Sequence, residues 1–249
     1  MEYSSLPLRR ILDISLNKEP VKSFGIIPIC TKTNKLMLIQ RKHSVPFLLL
    51  IRMKANFSCI PRLMRRITKP EHDSIKCIFI GDLSEYESNY RRLLYLTYRN
   101  PKSVEASWYK FYVAIPIIKR CIEIYENIQR RNEPSYLWPK GVKEWGKNES
   151  DIQCAARELR EESGINIFPD DASIIMNPIQ YQNAHISREY SIICWIMILK
   201  EEILLTQPEE NDEEVLCRSW VHISQVPELL DGNEEIEAFN RVLKTVEGL

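Results

Sequence analysis

Three glutamates, Glu158, Glu161 and Glu162, stand within five residues of one another in the second half of the chain. Arg157 directly precedes the first of them, and Glu149 lies eight residues before that arginine. On a helix, like charges at this spacing repel each other unless a cation lies among them. Mg²⁺ and Mn²⁺ prefer clustered carboxylate oxygens together with phosphate oxygens. The cluster therefore predicts a divalent-metal site that acts on phosphates, with a solvated acidic helix face as the alternative.

The glutamates require a helix to position them, and the flanking residues predict one. Ser150 and Gln153 match a capping box, and Gly164 is placed to end the helix. At about 100° per residue, the glutamates occupy one arc of this helix and a small apolar face occupies the neighbouring arc. That apolar face, which we expect to pack on a sheet, contains Ile152, Ala155, Ala156 and Leu159.

Apolar runs on either side of this helix predict the strands that support it. Residues 23–29 and 35–41 flank a polar turn at 31–34, which is typical of a hairpin. Further strands are indicated at 173–176, 190–199 and 219–222, and a last helix at about 234–246. We therefore expect an α/β fold in which helices cover a sheet.

The residues between the hairpin and the acidic helix have helical rather than alternating spacing. Ser84 to Glu87 matches a capping box, and Pro116 stands where the first turn of a helix tolerates proline. The pattern predicts a mostly α-helical insertion of about 90 residues after the first hairpin.

The insertion is basic although the whole chain has a formal net charge of zero. Residues 41–131 contain 18 Lys and Arg against 8 Asp and Glu, whereas residues 132–249 contain 10 against 23. A basic block followed by an acidic block suggests a polyanion-binding surface next to a cation-binding one. A basic solvated face without a partner is the alternative.

The composition favours a globular protein of a reducing compartment. Hydrophobic residues make up 44% of the chain, which is enough for a sizeable core. The seven cysteines are scattered and contain no CxxC pair, so neither a disulfide framework nor a zinc site is indicated. The first residues lack the apolar stretch of a signal peptide, and no apolar run reaches the length of a membrane span. We therefore expect a cytoplasmic location.

The segment from Arg157 to Ile165 resembles the core of a Nudix box. The consensus of that family is G-x5-E-x7-R-E-U-x-E-E-x-G-U, where U is aliphatic, and positions 149 and 157–165 match it. The opening glycine would fall at position 143, which is lysine here, whereas Gly141 lies two residues earlier. We interpret this departure as a two-residue expansion of the loop that leads into the helix.

The resemblance implies a Nudix fold, a mixed sheet sandwiched between helices, with the α-helical insertion after the first hairpin. It divides the chain into an N-terminal segment and first hairpin at 1–42, a basic helical insertion domain at 43–134, and the remainder of the Nudix domain at 135–249. A strand ending at residues 40–44, Phe47, the long insertion, a Pro-Lys-Gly sequence and then the box are similar to the mRNA-decapping Nudix enzymes of poxviruses and African swine fever-like viruses. For a viral enzyme the cytoplasm would be that of the host.

The same resemblance implies a divalent cofactor, either Mg²⁺ or Mn²⁺. In the family, glutamates of the helix hold the metal while water attacks a phosphorus atom. The metal ligands here would be Gly141, Glu158, Glu161 and Glu162.

Other acidic-site residues follow from the same comparison. Arg157 would orient a carboxylate through a charge-assisted hydrogen bond, and Glu149 would support the helix or the metal site. Glu214, or its neighbour Glu213, matches the place of a further base or ligand. A plain loop carboxylate is the alternative for this pair.

The viral enzymes imply capped mRNA as the partner, with 7-methyl-GDP and 5′-monophosphate RNA as products. A cationic 7-methylguanine stacks well on aromatic rings. Phe47 and Tyr190 fall where those enzymes place their stacking pair, although both residues could instead belong to the core. The RNA body would run over the basic insertion, with phosphate contacts from its arginines. The densest arginine groups are Arg62, Arg65, Arg66, Arg91, Arg92 and Arg99.

Two other functions remain open at this point. A Nudix hydrolase could act on a small nucleoside diphosphate derivative or a diphosphoinositol polyphosphate, because a fold does not define its substrate. A catalytically weak Nudix-like domain could also bind capped RNA without cleaving it.

Overall fold

A mixed seven-stranded sheet forms the centre of the computed structural model, which describes residues 20–97, 104–144, 146–166, 174–185, 188–205, 207–208, 214–230 and 232–248. Its strands are β1 (Val21–Cys30), β2 (Lys35–Arg41), β3 (Tyr136–Leu137), β4 (Lys140–Gly141), β5 (Ile174–His185), β6 (Arg188–Leu199) and β7 (Val215–His222).

The helices lie before, between and after these strands. They are α1 (Val45–Ile51), α2 (Ile60–Arg66), α3 (Lys69–Ile78), α4 (Leu83–Tyr95), α5 (Val104–Ile124), α6 (Asp151–Ser163), α7 (Val226–Leu229) and α8 (Asn233–Glu247). Short 3-10 turns cover Phe57–Cys59 and Ile223–Gln225. Of the helices in the described ranges, none is both long enough and apolar enough to cross a membrane.

Strands β1 and β2 pair beside the turn that joins them, where Ile29 faces Leu36. Further along, β1 pairs with β4 through Phe24 and Gly141, while the end of β2 pairs with β3. The outer edge of β2 holds β7, and β1 runs parallel to β6 along its whole length. The segment that contains β3 and β4 therefore fills a split between the two strands of the hairpin, and this split positions the site described below.

Alternating side chains of the central strands form two apolar layers, one on each face of the sheet. One layer packs against the small buried residues of α6 and the other against α8. Small residues let α6 lie close to the sheet, so its polar arc is held near β4. The α6 layer contains Phe24, Ile26, Met37, Ile39, Trp195 and Met197, and the α8 layer contains Ile27, Ile29, Leu36, Leu38, Cys194 and Ile196.

The block between β2 and β3 has a hydrophobic cluster of its own that extends from Phe47 to Cys121. At its centre the rings of Tyr90 and Phe111 lie 4.2 Å apart, and the Tyr90 hydroxyl donates to the carbonyl oxygen of Ile51 at 2.7 Å. The expected α/β fold, a mixed sheet between helices with a mostly α-helical insertion after the first hairpin, is confirmed. The domain boundaries after residues 42 and 134 stay a prediction.

Two helix starts in the insertion differ from the expectation. Asp82, rather than Ser84, is the N-cap of α4, because its side chain accepts from the backbone N–H groups of Ser84 and Glu85. Pro116 lies inside α5 rather than in a first turn. It is exposed there, so the backbone hydrogen bond that proline cannot make is lost on the solvent side of the helix.

Glu71 holds two helix starts of the insertion together. Its carboxylate accepts from the backbone N–H of Ser44 at 2.6 Å and from the Ser44 hydroxyl at 2.7 Å, and Ser44 is the N-cap of α1. The same carboxylate accepts from the backbone N–H of Thr68 at 2.8 Å, which completes the capping box of α3. Because Glu71 is only 6% exposed, these donors have little access to water as a substitute.

We expect Glu71→Gln to lower the free energy of unfolding by about 2 kcal/mol, since an amide replaces one acceptor oxygen with a donor and leaves a buried N–H unpaired. Urea unfolding at pH 7 would measure the loss. Asp73→Asn on the same helix is the control, because Asp73 is 46% exposed and its ion pair with Lys69 contributes little. Equal urea midpoints for Glu71→Gln and Asp73→Asn would contradict the proposed role of Glu71 in joining the two helix starts.

Candidate active site

Helix α6 begins and ends as the sequence predicts. Ser150 accepts from the backbone N–H of Gln153 at 3.3 Å, and the Gln153 side chain accepts from the N–H of Ser150 at 2.8 Å. Gly164 ends the helix at a φ of 77°, a left-handed conformation that favours glycine. The polar arc of α6 therefore has a defined place beside β4.

The guanidinium group of Arg157 is the centre of the acidic cluster. It donates to the two carboxylate oxygens of Glu149 at 3.2 and 3.1 Å, to Glu158 at 2.7 Å and to Glu161 at 3.0 Å. A further bond to the carbonyl oxygen of Val142 at 3.0 Å ties α6 to the segment after β4. Because the Arg157 side chain is only 11% exposed, these charge-assisted bonds are poorly screened by water. The hydrogen bond from Arg157 also lowers the pKa of Glu149.

Glu162 faces the interior rather than the acidic cluster. Its carboxylate accepts from the Arg41 guanidinium at 2.9 Å and from the backbone N–H of Lys140 at 2.9 Å. Burial raises the pKa of Glu162, and the charge of Arg41 opposes that rise. Arg218 donates to the carbonyl oxygen of the same residue at 2.6 Å. Glu162 thus joins α6 to the end of β2 and to β4.

The three helix glutamates consequently have different surroundings. Glu162 is 4% exposed, whereas the side chain of Glu161 is 49% exposed and that of Glu158 is 14% exposed. Across the described ranges, no group of three or more carboxylate, imidazole or thiol side chains is arranged around a single metal position. In this structure Glu158 and Glu161 form ion pairs with Arg157, whereas Glu162 forms one with Arg41. The metal-binding roles of the three glutamates stay a prediction.

Gly141 lies directly against the carboxylate of Glu158. A Cβ atom at position 141 would lie 2.1 Å from Cδ of Glu158 and 2.2 and 2.3 Å from its two oxygens. With the Glu158 carboxylate in this position, only a residue without a side chain fits at position 141. Despite the two-residue expansion of the loop, the glycine therefore reaches the acidic cluster.

We expect Gly141→Ala to weaken the binding of Mn²⁺ by about tenfold, because the methyl group must displace the Glu158 carboxylate, whose oxygens would be ligands of the cation. Titration calorimetry of the purified protein would measure the affinity. Gly248→Ala is a suitable control, since a Cβ at that position meets no atom nearer than 3.5 Å. Unchanged Mn²⁺ affinity in the Gly141 variant would show that this contact does not support a metal site.

Glu158 lies in the wall of a pocket with a volume of about 420 Å³. Burial raises the pKa of Glu158 to about 7, although the hydrogen bond from Arg157 opposes the shift. The pocket lies at the split between β1 and β2, bordered by the first residues of the insertion. Its charged lining residues are Arg41, Lys140, Glu158, Glu214 and Glu235, and its aromatic lining residues include His43, Tyr136 and Tyr190.

Of the residues expected outside α6, Glu214 and Tyr190 line this pocket, whereas Glu213 lies outside the described residues. Phe47 does not line it. Its side chain is 1% exposed in the core of the insertion, with its ring centroid 5.4 Å from that of His43. The surrounding helices cover the ring, as expected for the alternative of a core residue, and the stacking role of Phe47 stays a prediction.

The arginines expected to bind RNA differ in their availability. Arg91 donates two hydrogen bonds to Glu87 and two to Glu105, which raise its pKa and compensate its charge. Arg66 is half-buried, and Arg99 lies outside the described residues. Arg62, Arg65 and Arg92 are exposed, and the guanidinium group of Arg65 lies 5.9 Å from the centroid of the Tyr125 ring.

Several pocket residues were not singled out from the sequence. Arg41 carries a usable signal, since it is a charged residue at the end of an apolar strand run. Lys140 carries a second one, since it directly precedes Gly141. Burial lowers the pKa of Lys140, and the charge of Glu235 opposes this shift. Tyr136 gave no signal, because only the fold brings its hydroxyl within 3.4 Å of Cys217 Sγ and places its ring at the pocket.

The donors at this wall fit a divalent cation by type. Mg²⁺ and Mn²⁺ bind carboxylate and carbonyl oxygens, and the wall offers Glu158, Glu214 and the backbone of Gly141. The raised pKa of Glu158 marks a carboxylate whose charged form is disfavoured by burial and would be favoured by a nearby cation. In this structure Arg157 provides positive charge next to Glu158, so a bound cation would share the carboxylate of Glu158 with Arg157 or replace the hydrogen bond between them.

No family model matches the chain, and no curated protein matches it. Among solved structures, the chain is similar to the Escherichia coli dihydroneopterin triphosphate pyrophosphohydrolase, with 11% identity, a TM-score of 0.42, and coverage of 88% of this chain and 92% of that chain. The NUDIX domain of Shewanella oneidensis NrtR in complex with ADP ribose gives 9% identity, a TM-score of 0.46, and coverage of 97% and 99%. For a Caenorhabditis elegans Ap4A hydrolase the identity is 11%, the TM-score is 0.43, and the match covers 92% of this chain and 99% of that chain. With TM-scores below 0.5 these similarities establish no family, and the candidate site rests on its own geometry.

Proposed function

We propose that the chain is a Nudix hydrolase, a metal-dependent enzyme that cleaves a phosphoanhydride bond in a nucleotide derivative. One observation carries this proposal. Arg157 joins Glu149, Glu158 and Glu161 through hydrogen bonds of 3.2, 2.7 and 3.0 Å, while Gly141 packs on Glu158 at the wall of a pocket. Of the positions that match the Nudix consensus, Glu158 lines this pocket, and Arg157 links it to Glu149 and Glu161.

The residues at and next to the pocket wall would have different roles in the proposed reaction. Glu158 and Glu161 would hold Mg²⁺ or Mn²⁺, with Glu214 and the backbone of Gly141 as further oxygen donors. When bound, the cation supplies Lewis acidity to a phosphoryl oxygen and to water. Arg157 keeps the carboxylate of Glu158 oriented, and Arg41 provides positive charge toward the substrate phosphates. The remaining Nudix-helix glutamate, Glu162, holds Arg41 in place.

We propose capped mRNA as the substrate, with 7-methyl-GDP and 5′-monophosphate RNA as products. The order of the hairpin, the basic insertion and the box supports this choice, as does the presence of Tyr190 in the pocket. Three exposed arginines of the insertion, Arg62, Arg65 and Arg92, would contact the phosphates of the RNA body.

A small nucleotide derivative is the second candidate substrate, and two observations favour it. The pocket volume of about 420 Å³ is in the range that accommodates a small ligand. Two residues expected to contact capped RNA are also less available to it. Phe47 is buried, and the charge of Arg91 is compensated by its ion pairs with Glu87 and Glu105.

The deciding experiment incubates the purified protein with Mg²⁺ or Mn²⁺ and either cap-labelled RNA or a panel of nucleoside diphosphate derivatives and diphosphoinositol polyphosphates. Release of 7-methyl-GDP supports decapping, whereas turnover of a panel member alone supports the second candidate. The double variant Arg62→Glu and Arg65→Glu should slow only the RNA reaction. Tight binding of capped RNA without any metal-dependent product would instead indicate a binding protein, and it would overturn the hydrolase proposal.

A further inference from the structure

A second charged pair, Lys140 and Glu235, lines the same pocket and has no part in the proposed hydrolysis. Glu235 lies in the first turn of α8 and is 7% exposed, and Lys140 belongs to β4. The charge of Glu235 opposes the lowering of the Lys140 pKa by burial, and the ammonium group of Lys140 lies 5.6 Å from the centroid of the Trp138 ring, which is fully buried. Both side chains line the same pocket, where Glu235 can act as an acceptor and Lys140 as a donor.

The neighbourhood of this pair has the chemistry of a planar polar ligand. Tyr136 and Tyr190 line the same pocket and are half-buried, so aromatic side chains border the space beside this pair. A carboxylate has several acceptor sites, so Glu235 can accept further hydrogen bonds from a ligand besides its contacts within the chain, and the Lys140 ammonium group can donate them. A nucleobase supplies such bonds along one edge, because a ring or exocyclic N–H stands beside a ring nitrogen or carbonyl acceptor.

We propose that Lys140 and Glu235 form a nucleobase subsite, in which Glu235 accepts from an N–H of the base and Lys140 donates to the neighbouring acceptor. This inference rests on the proposed function, because it assigns the non-phosphate part of the substrate to the far side of the same pocket. Guanine, adenine, cytosine and uracil all carry a donor beside an acceptor, so the proposed ligand class is the nucleobase and not one particular base.

Glu235 also occupies the third position of α8 after the N-cap Gly232, where a carboxylate can satisfy a backbone N–H of the first turn. Glutamine serves this capping position as well as glutamate does, so Glu235→Gln keeps the cap and removes the charge. Glu234 stands in the same turn but is exposed, which makes Glu234→Gln a matched control. Lys140→Met is a second test variant that keeps the length of the side chain.

The test measures binding by calorimetry in EDTA, with the 5′-monophosphates of guanosine, 7-methylguanosine, adenosine, cytidine and uridine, and with ribose 5-phosphate as the ligand without a base. We expect at least one nucleotide to bind about tenfold more tightly than ribose 5-phosphate. Glu235→Gln and Lys140→Met should each remove most of this preference while changing the affinity for ribose 5-phosphate less than about twofold. Glu234→Gln should behave as the wild type.

Equal binding of the nucleotides and ribose 5-phosphate, no nucleotide binding at millimolar concentration, or a preference that survives in both test variants would overturn the subsite. The assay needs no metal and no turnover, so it separates the two proposals. Hydrolysis without any dependence on these two residues would reject the subsite alone. Base-dependent binding by a protein that hydrolyses nothing would reject the hydrolase proposal alone.

Discussion

Glu158→Gln should lower metal-dependent hydrolysis by about 10²- to 10³-fold, because the amide keeps the shape of the side chain but removes the negative charge that would hold the cation at the pocket wall. Initial rates with the substrate identified from the panel, at saturating Mn²⁺, would measure the loss. Asp151→Asn is the matched control, since Asp151 lies on the same helix but is 50% exposed and pairs with Lys143 at the surface. Comparable rates for Glu158→Gln and the wild type would remove Glu158 from the catalytic site.

The same substitution should have the opposite effect on stability in EDTA. The pKa of Glu158 is raised to about 7 from an ordinary value of 4.5, so protonation stabilises the folded state. This stabilisation by protonation is complete at pH values below the unfolded-state pKa of 4.5, and it is lost as the pH rises through the folded-state pKa of about 7. At pH 8 the folded wild-type protein therefore carries a buried charge that glutamine lacks. We expect Glu158→Gln to be more stable by about 1–3 kcal/mol at pH 8 and nearly equal at pH 5.

The stability measurement also tests the assignment independently of any substrate. A residue that serves only the fold through its bond to Arg157 would destabilise the protein when replaced, at both pH values. If Glu158 is instead a charged carboxylate in a poorly hydrated wall, its replacement by glutamine stabilises the protein at pH 8. Urea unfolding of the two proteins at pH 5 and pH 8 distinguishes these cases.

Elements with strong local signals could be predicted from the sequence. Helix α6 follows from the capping box at Ser150, the apolar arc that includes Leu159 and the terminal Gly164, all of which depend on residues close together in the chain. The start of α4 was misplaced by two residues because Asp82 and Ser84 are both good N-caps. Pro116 was placed in a first turn because proline favours helix starts, whereas tertiary packing of the other face of α5 holds the helix through it.

The site was only partly predictable, because side-chain direction depends on tertiary partners. Spacing alone places Glu158, Glu161 and Glu162 on one arc of the helix. In the structure, Arg41 at the end of β2 donates to the carboxylate of Glu162, which is buried. The burial of Phe47 likewise depends on helices that pack around it from the rest of the insertion. Periodicity contains no information about such long-range contacts, so the pocket required the structure.

Arg157→Lys should both destabilise the fold and nearly abolish hydrolysis. The planar guanidinium reaches Glu149, Glu158 and Glu161 at once, whereas an ammonium group cannot match this geometry. The variant leaves carboxylates that are 12% and 14% exposed, at Glu149 and Glu158, without their full set of donors. We expect the free energy of unfolding at pH 7 to fall by about 2–4 kcal/mol and the rate to fall by about a hundredfold.

The pH dependence of this loss follows from Glu149, whose pKa is lowered by the hydrogen bond from Arg157. A lowered pKa in the folded state gives stability that is present above the ordinary value of 4.5 and is lost as the pH falls through the folded value. The difference between the wild type and Arg157→Lys should therefore be largest near pH 7 and should shrink toward pH 3. Arg160→Lys provides the control, because Arg160 lies one residue before Glu161 on the exposed face of α6. Equal unfolding curves for the two lysine variants at pH 7 would show that the Arg157 network contributes nothing to the fold, and the hydrolase proposal would then lose the contact on which it rests.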